Sequence, residues 1–184
     1  MGGGSKAFIY LVNTYIRPFP GCRILDIGCG SASLLSYLPG DVVYYGFDPN
    51  AAYIETAKKR YGNKGHFHCG LVESDTENLL YGMEFDIVIA HGVLHHLDDA
   101  QAAVLFAVAA QYLQPKGRLF CVDACFIPRQ NPIARLIIRQ DRGKNVRSPE
   151  SYIALARQNF SSINGKIQHK IFIPYTHWIM ECEK

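Results

Sequence analysis

Four residues in the first third of the chain have the types and spacing of a ligand site: Asp26, Gly28, Gly30 and Asp48. Three of them sit in Ile24-Leu25-Asp26-Ile27-Gly28-Cys29-Gly30-Ser31-Ala32. The fourth ends the β-rich run Val42-Val43-Tyr44-Tyr45-Gly46-Phe47-Asp48, 22 residues after Asp26. Glycines after a strand let the backbone turn sharply and approach a ligand with no Cβ in the way. A carboxylate at the end of the second strand can accept both hydroxyls of a ribose, because it is an acceptor only. Asp48 could equally cap the helix that follows, with Pro49 at its first position. A dinucleotide fingerprint would need a third glycine three residues after the second. Ser33 stands there, and Asp26 would repel a pyrophosphate while tolerating a cationic ligand. Histidines form the second group. His91, His95 and His96 follow a strand-like run from Phe85 to Ala90, and His177 lies near the C-terminus. Imidazoles titrate near neutral pH and suit a general base. His95 and His96 are neighbours, so on a helix they diverge by about 100° and are poorly placed to chelate one ion.

The elements that must carry these residues alternate. Strands are expected near 22–27, 42–47, 66–69, 85–90 and 118–124. Helices are expected near 6–17, 32–38, 50–61 and 99–113, with Gly62 as a stop and Pro115 as another. The polar stretch 73–83 reads as a turn. Such alternation builds a parallel sheet with helices on both faces. Ser148 caps a further helix over about 149–159, with Pro149 at its first turn. Two late β runs, 166–172 and 177–182, are joined by a link so short that they must be antiparallel.

Composition fits one globular domain spanning 1–184. The net charge is +3 and 48% of residues are hydrophobic, ordinary values that point to neither a disordered nor a highly charged chain. The longest apolar run, Ala102 to Ala110, is too short for a membrane span, and no signal peptide is expected. Six cysteines show no Cys-x-x-Cys pair, so free thiols in a reducing cytoplasm are expected and no metal site is.

The stretch Asp26-Ile27-Gly28-Cys29-Gly30-Ser31-Ala32 resembles motif I of the class I S-adenosylmethionine-dependent methyltransferases. Three further landmarks follow in the family's order. Asp48 ends strand two, Phe85-Asp86-Ile87-Val88 leads to Leu94-His95-His96-Leu97, and Leu113-Gln114-Pro115-Lys116-Gly117 resembles the family's turn into strand five, with Lys116 for a glycine. The resemblance implies a three-layer α/β sandwich with a seven-stranded, mostly parallel sheet of order 3-2-1-4-5-7-6 and strand seven reversed. It implies S-adenosylmethionine as cofactor and S-adenosylhomocysteine as product. Asp26, Gly28, Gly30, Asp48, Pro49, Leu71, Val72 and His91 would then face the cofactor. Leu71 stands where the family often has an Asp that accepts from the adenine amino group; Glu73 or Asp75 could serve instead.

That topology brings His91, His95, His177, Asp123 and Tyr175 to the carboxyl ends of the strands, where ligands bind in open α/β sheets. His95 is the first candidate for a base, then His177 and His91. Residues 126–147 hold six cations against one acid, Asp141. Residues 132–140 also have an apolar side, as a lid would. Arg139 and Arg142 could there recruit an anionic acceptor. The expected function is methylation, at oxygen or nitrogen, of a small anionic molecule. RNA is the rival substrate, disfavoured by near-neutral charge and the lack of an appended RNA-binding module. A non-catalytic binding or scaffold protein of the same fold is the other alternative.

Overall fold

A computed structural model describes residues 3–72, 77–170 and 174–184. Seven strands form one sheet: β1 Arg23–Ile27, β2 Val43–Asp48, β3 His66–Cys69, β4 Phe85–His91, β5 Leu113–Ala124, β6 Ser162–Lys170 and β7 Tyr175–Glu183. Their order is β3-β2-β1-β4-β5-β7-β6. The first five strands pair in parallel, and β7 runs antiparallel to both β5 and β6. The order reverses between β1 and β4, both of which start pairs with a neighbour on either side. At that switch point a crevice opens beyond the strand ends.

Strand alternation sends side chains to two cores. Leu25, Val88, Leu119, Cys121, Trp178 and Met180 pack on one face with residues of helices α4 (Asp99–Tyr112) and α6 (Pro149–Ala156). Ile24, Ile87, Ile89, Phe120, Val122 and Ile179 pack on the other with α1 (Gly3–Leu11) and α2 (Ala51–Tyr61). Two cores on one sheet make three layers.

Caps fix where the helices start, and so where the loops before them lie. Asp98 and Gln101 form a reciprocal capping box at α4. Ser148 caps α6, with Pro149 at its first position. Asn50 caps α2 through the N–H groups of Ala52 and Tyr53, so Asp48 is not the cap. Helix α5 (Pro132–Arg139) is capped by Asn131.

Several elements differ from the sequence expectation. The first helix ends at Leu11 and continues as a wider π-helical turn, Val12–Ile16, closed by Arg17 at φ 45°. The Arg118 guanidinium caps that turn by donating to the carbonyls of Ile16 and Arg17, at 2.6 and 2.9 Å. Residues 33–37 form a 3-10 helix rather than an α-helix. A single helical turn, α3 (Glu77–Leu80), stands within the stretch read as a turn, anchored by fully buried Leu80. β5 begins at Leu113 because the chain stays extended through Pro115, with Lys116 at φ 69° where the family pattern has glycine.

β6 and β7 are nine residues each, longer than expected, and Gly165 makes that length possible. A Cβ at Gly165 would lie 2.0 Å from Cζ2 of Trp178, whose ring crosses that position. Glycine to alanine in a strand ordinarily gains a little stability, about 0.4–1 kcal/mol, by restricting the unfolded chain. Here overpacking reverses the sign. Gly165→Ala is expected to lower unfolding free energy by about 1–3 kcal/mol, read by denaturant unfolding with the single tryptophan as fluorophore.

Candidate functional site

The loop after β1 is shaped by β2. The amides of Gly28 and Cys29 donate to the Phe47 carbonyl at 2.7 and 3.0 Å. The Gly30 amide donates to Oδ2 of Asp48 at 2.9 Å, and the Asn50 amide to Oδ1 at 2.8 Å. Gly28 has φ 74°, and a Cβ there would meet Val93 Cγ2 at 2.4 Å. Both conformation and space therefore demand glycine. Asp48 is held by backbone donors, yet each of its oxygens can accept a second hydrogen bond, and the residue lines the crevice.

Two cavities meet at this loop. The larger, about 660 Å³, is lined by Asp48, Pro49, Leu71, Val72, His96 and Arg142, with Gly28 and Gly30 at its edge. The smaller, about 360 Å³, is lined by Phe8, Asp26, Ser33 and His91 and shares the same two glycines. Among the charged side chains in these walls, Asp26 is unusual. It is 2% exposed, accepts a hydrogen bond from Tyr44 at 2.6 Å through Oδ2, and its Oδ1 has no protein partner among the described residues. Burial first, with the nearby Asp48 charge adding to it and the Tyr44 bond opposing, pushes its carboxyl up to about 7.

A second polar cluster lies beside the first. His95 donates its backbone amide to Oδ1 of Asp123 at 3.1 Å, and its Nδ1 lies 2.7 Å from the same oxygen. The pairing assigns the proton to Nδ1 and leaves the Nε2 lone pair outward. Nε2 faces Oδ1 of Asp141 at 3.9 Å, and Tyr175 donates its hydroxyl to that carboxylate. Burial raises the Asp123 carboxyl above its usual range, against the opposing pull of His95. Asp141 is held below its usual range, chiefly by the Tyr175 bond.

The basic segment is stapled to this cluster. Asn145 donates its amide to the His95 carbonyl at 2.9 Å. Arg147 donates to the carbonyls of Leu94 and Leu97 and to the Asp99 carboxylate, at 2.7–2.9 Å. Gly143 lies flat on the His95 ring, where a Cβ would come within 1.9 Å of Cδ2.

Each residue singled out in the sequence now has a place. Asp26, Gly28, Gly30, Asp48, Pro49, Leu71, Val72 and His91 line the two cavities. His95 and Asp123 are buried behind them and line neither; His96 lines the larger one instead. His91 and His177 share a sheet face by alternation with Ile89 and Ile179, and His177 stacks near Tyr175, with centroids 4.6 Å apart. Arg142 and Arg139 are both exposed; Arg142 lines the larger cavity, and Arg139 stands at the end of α5 and lines neither. Glu73 and Asp75 lie outside the described residues. Sequence reading missed Asp141 and Gly143; the signal available was a lone acid and glycine inside a run of cations. Four cysteines are buried, Cys29 is half-buried, and Cys69 is exposed at the end of β3. No group of three or more metal-ligating side chains occurs among the described residues. Nor is any helix among them long and apolar enough to cross a membrane.

Residues 24–117, just over half of the chain, match the family of the methyltransferase domain. The chain belongs to that family. A ubiquinone biosynthesis O-methyltransferase of Mesorhizobium japonicum is 34% identical over 108 residues, covering 56% of this chain and 41% of that protein. The methyltransferase chain thus spans less than half the length of this curated relative. Among solved structures, the N-methyltransferase NodS of Bradyrhizobium japonicum superimposes with a TM-score of 0.73 at 14% identity, covering 98% of this chain and 96% of that one. The magnesium protoporphyrin IX methyltransferase of Synechocystis, solved with bound S-adenosylhomocysteine, gives 0.70 at 21% identity, covering 98% and 81%. These likenesses establish the class I methyltransferase fold for this chain.

Asp26 gives the methyltransferase domain a pH signature. Its carboxyl titrates near 7 when folded and near 3.8 in its unperturbed state. Between those values the folded chain holds a proton that the unfolded chain has lost, so stability falls as pH rises across that window and levels off above it. Asp26→Asn is expected to flatten this slope, by an amount on the order of 1–4 kcal/mol between pH 4 and 8. Urea unfolding of both proteins at stepped pH measures it.

Proposed function

We propose that this domain transfers a methyl group from S-adenosylmethionine to a small molecule, at a hydroxyl oxygen. The observation that carries the cofactor reading is the unpartnered Oδ1 of Asp26, buried in the wall of the smaller cavity. A buried acceptor with no donor is costly unless a ligand supplies one. The ammonium of a methionine moiety is such a donor, and its charge suits a carboxylate. Asp48 would accept the ribose hydroxyls on its remaining lone pairs, and Pro49, Leu71 and Val72 would flank the purine. When bound, the cofactor supplies a methyl group on a positively charged sulfur, which a nucleophile can displace.

The chain's own work is then to hold the acceptor and move its proton. Asp123 fixes the His95 tautomer, which leaves Nε2 able to take a proton. Asp123 needs to be ionised for this, and its pairing with His95 opposes the effect of burial. Tyr175 holds Asp141 in front of Nε2, so an acceptor hydroxyl would have to reach the buried ring past the Asp141 carboxylate. The O-methyltransferase relative supports oxygen as the acceptor atom. Exposed Arg139 supports an anionic acceptor; Arg147 is already spent on Asp99 and three carbonyls. Six unpaired cysteines support a reducing compartment such as the cytoplasm.

Calorimetry with S-adenosylhomocysteine tests the cofactor reading. Saturable binding is expected, with proton release near pH 6.5 as Asp26 ionises against the ammonium, and Asp48→Ala is expected to weaken binding by about 1–3 kcal/mol. No binding by the intact domain overturns it. His95→Gln is expected to lower kcat by roughly 10²–10⁴-fold while leaving S-adenosylhomocysteine affinity intact, with Asp123→Asn following in direction. If His95→Gln, His177→Gln and His91→Gln all keep near-normal kcat, positioning alone drives transfer and a neutral amine becomes the better acceptor.

A further inference from the structure

Arg142 does not stand where an acceptor-binding residue on a loose surface segment would stand. Its neighbours fix it. Asp141 is held by the Tyr175 hydroxyl, Gly143 is pressed on the His95 ring, and the Asn145 amide is bonded to the His95 carbonyl. The backbone at residue 142 is therefore pinned from both sides, and its side chain joins the wall of the larger cavity beside His96. Burial, then His95, and also the Arg142 charge lower the pKa of His96, which agrees with that proximity. Among the described residues lining this cavity, Asp48 and Arg142 are the only Asp, Glu, Lys or Arg. Asp48 serves the glycine loop. Much of the remaining wall is apolar, and the side chain of Leu71, half exposed at 50%, offers no acceptor for an amino group.

We propose that Arg142 is a purine-binding residue, closing the cofactor cavity from the strap 141–147, and is not part of the acceptor's anion site. A guanidinium has donors only, so it matches the ring nitrogens of a purine, which accept, and its plane can stack on the π face. Among the described residues, recognition of the purine then rests on a cation at the ring rather than on a carboxylate at the amino group. The strap then touches both partners of the reaction through adjacent residues, Asp141 toward His95 and Arg142 toward the cofactor. Arg142 has this role only if the larger cavity holds the cofactor, as proposed above.

Calorimetry with S-adenosylhomocysteine and with adenosine, on the intact domain and three variants, tests this. Arg142→Gln is expected to weaken both ligands roughly 5- to 30-fold. Lys144→Gln makes the same charge change on the same exposed strap outside the cavity and is expected to stay within about twofold. Arg142→Lys, which keeps the charge but loses the planar fork, is expected to fall between them. Arg142→Gln binding both ligands as Lys144→Gln does overturns the proposal and leaves the cofactor reading standing. Weakened S-adenosylhomocysteine with unchanged adenosine also overturns it, because the contact would then lie at the amino-acid end. An intact domain that binds neither ligand overturns both readings.

Discussion

The carboxylate of Asp48 ties together the parts from which the site is made. It accepts one amide from the glycine loop after β1 and one from the residue that caps α2. These bonds join the end of β2 to the loop after β1 and to the start of α2, and charge-assisted bonds to backbone amides are among the stronger ones. The Phe47 carbonyl adds two more amides from the same loop. The loop is therefore cast on the end of β2 rather than free to sample conformations, and the positive φ of Gly28 and Gly30 is the cost of that casting. A loop so constrained presents its cavity walls before any ligand arrives, which reduces the ordering cost of binding.

Against that rigidity, Asp26 and His95 show stability spent on function. Asp26 is a buried carboxyl with one oxygen that has no partner among the described residues, a group the fold would be easier to build without. His95 is buried among carboxylates and under the backbone of Gly143, which no other residue type could lay so close. Neither arrangement follows from packing. The two clusters stand on opposite sides of the β4 end, so that the short stretch from His91 to His96 serves both.

How much of this could be read from the sequence depended on the range of the cause. The glycine loop and Asp48 are dictated by local backbone demands written in consecutive residues, whereas the sheet order was implied by the family resemblance and not by residue alternation. The cap of α6 at Ser148, with Pro149 after it, was equally local. The wide turn at Val12–Ile16 was not legible, because the guanidinium that caps it comes from Arg118, far along the chain. Nor was the burial of His95, whose partners Asp123 and Asp141 lie 28 and 46 residues away in sequence. Sequence reading put His95 ahead of its neighbour His96, but only their tertiary partners make His95 the buried ring and His96 the one on the cavity.

The basic segment shows the same limit most clearly. Its charge and apolar pattern suggested a mobile cover, and helix α5 does form there, over Pro132–Arg139. Which side it buries could not be read. Ala134 and Ile138 face inward while Ile133 and Leu136 stay exposed, since apolar residues cover more than half of the helix and leave two possible faces. The decisive contacts lie after the helix. Arg147 has no free charge to offer a substrate, because its guanidinium is occupied by three carbonyls and the Asp99 carboxylate, and it lies over the Tyr152 ring. Counting cations treats Arg147 and Arg142 as equals. Geometry separates an arginine that fastens the strap from one that the fastened strap delivers to the cavity, and the second depends on the first.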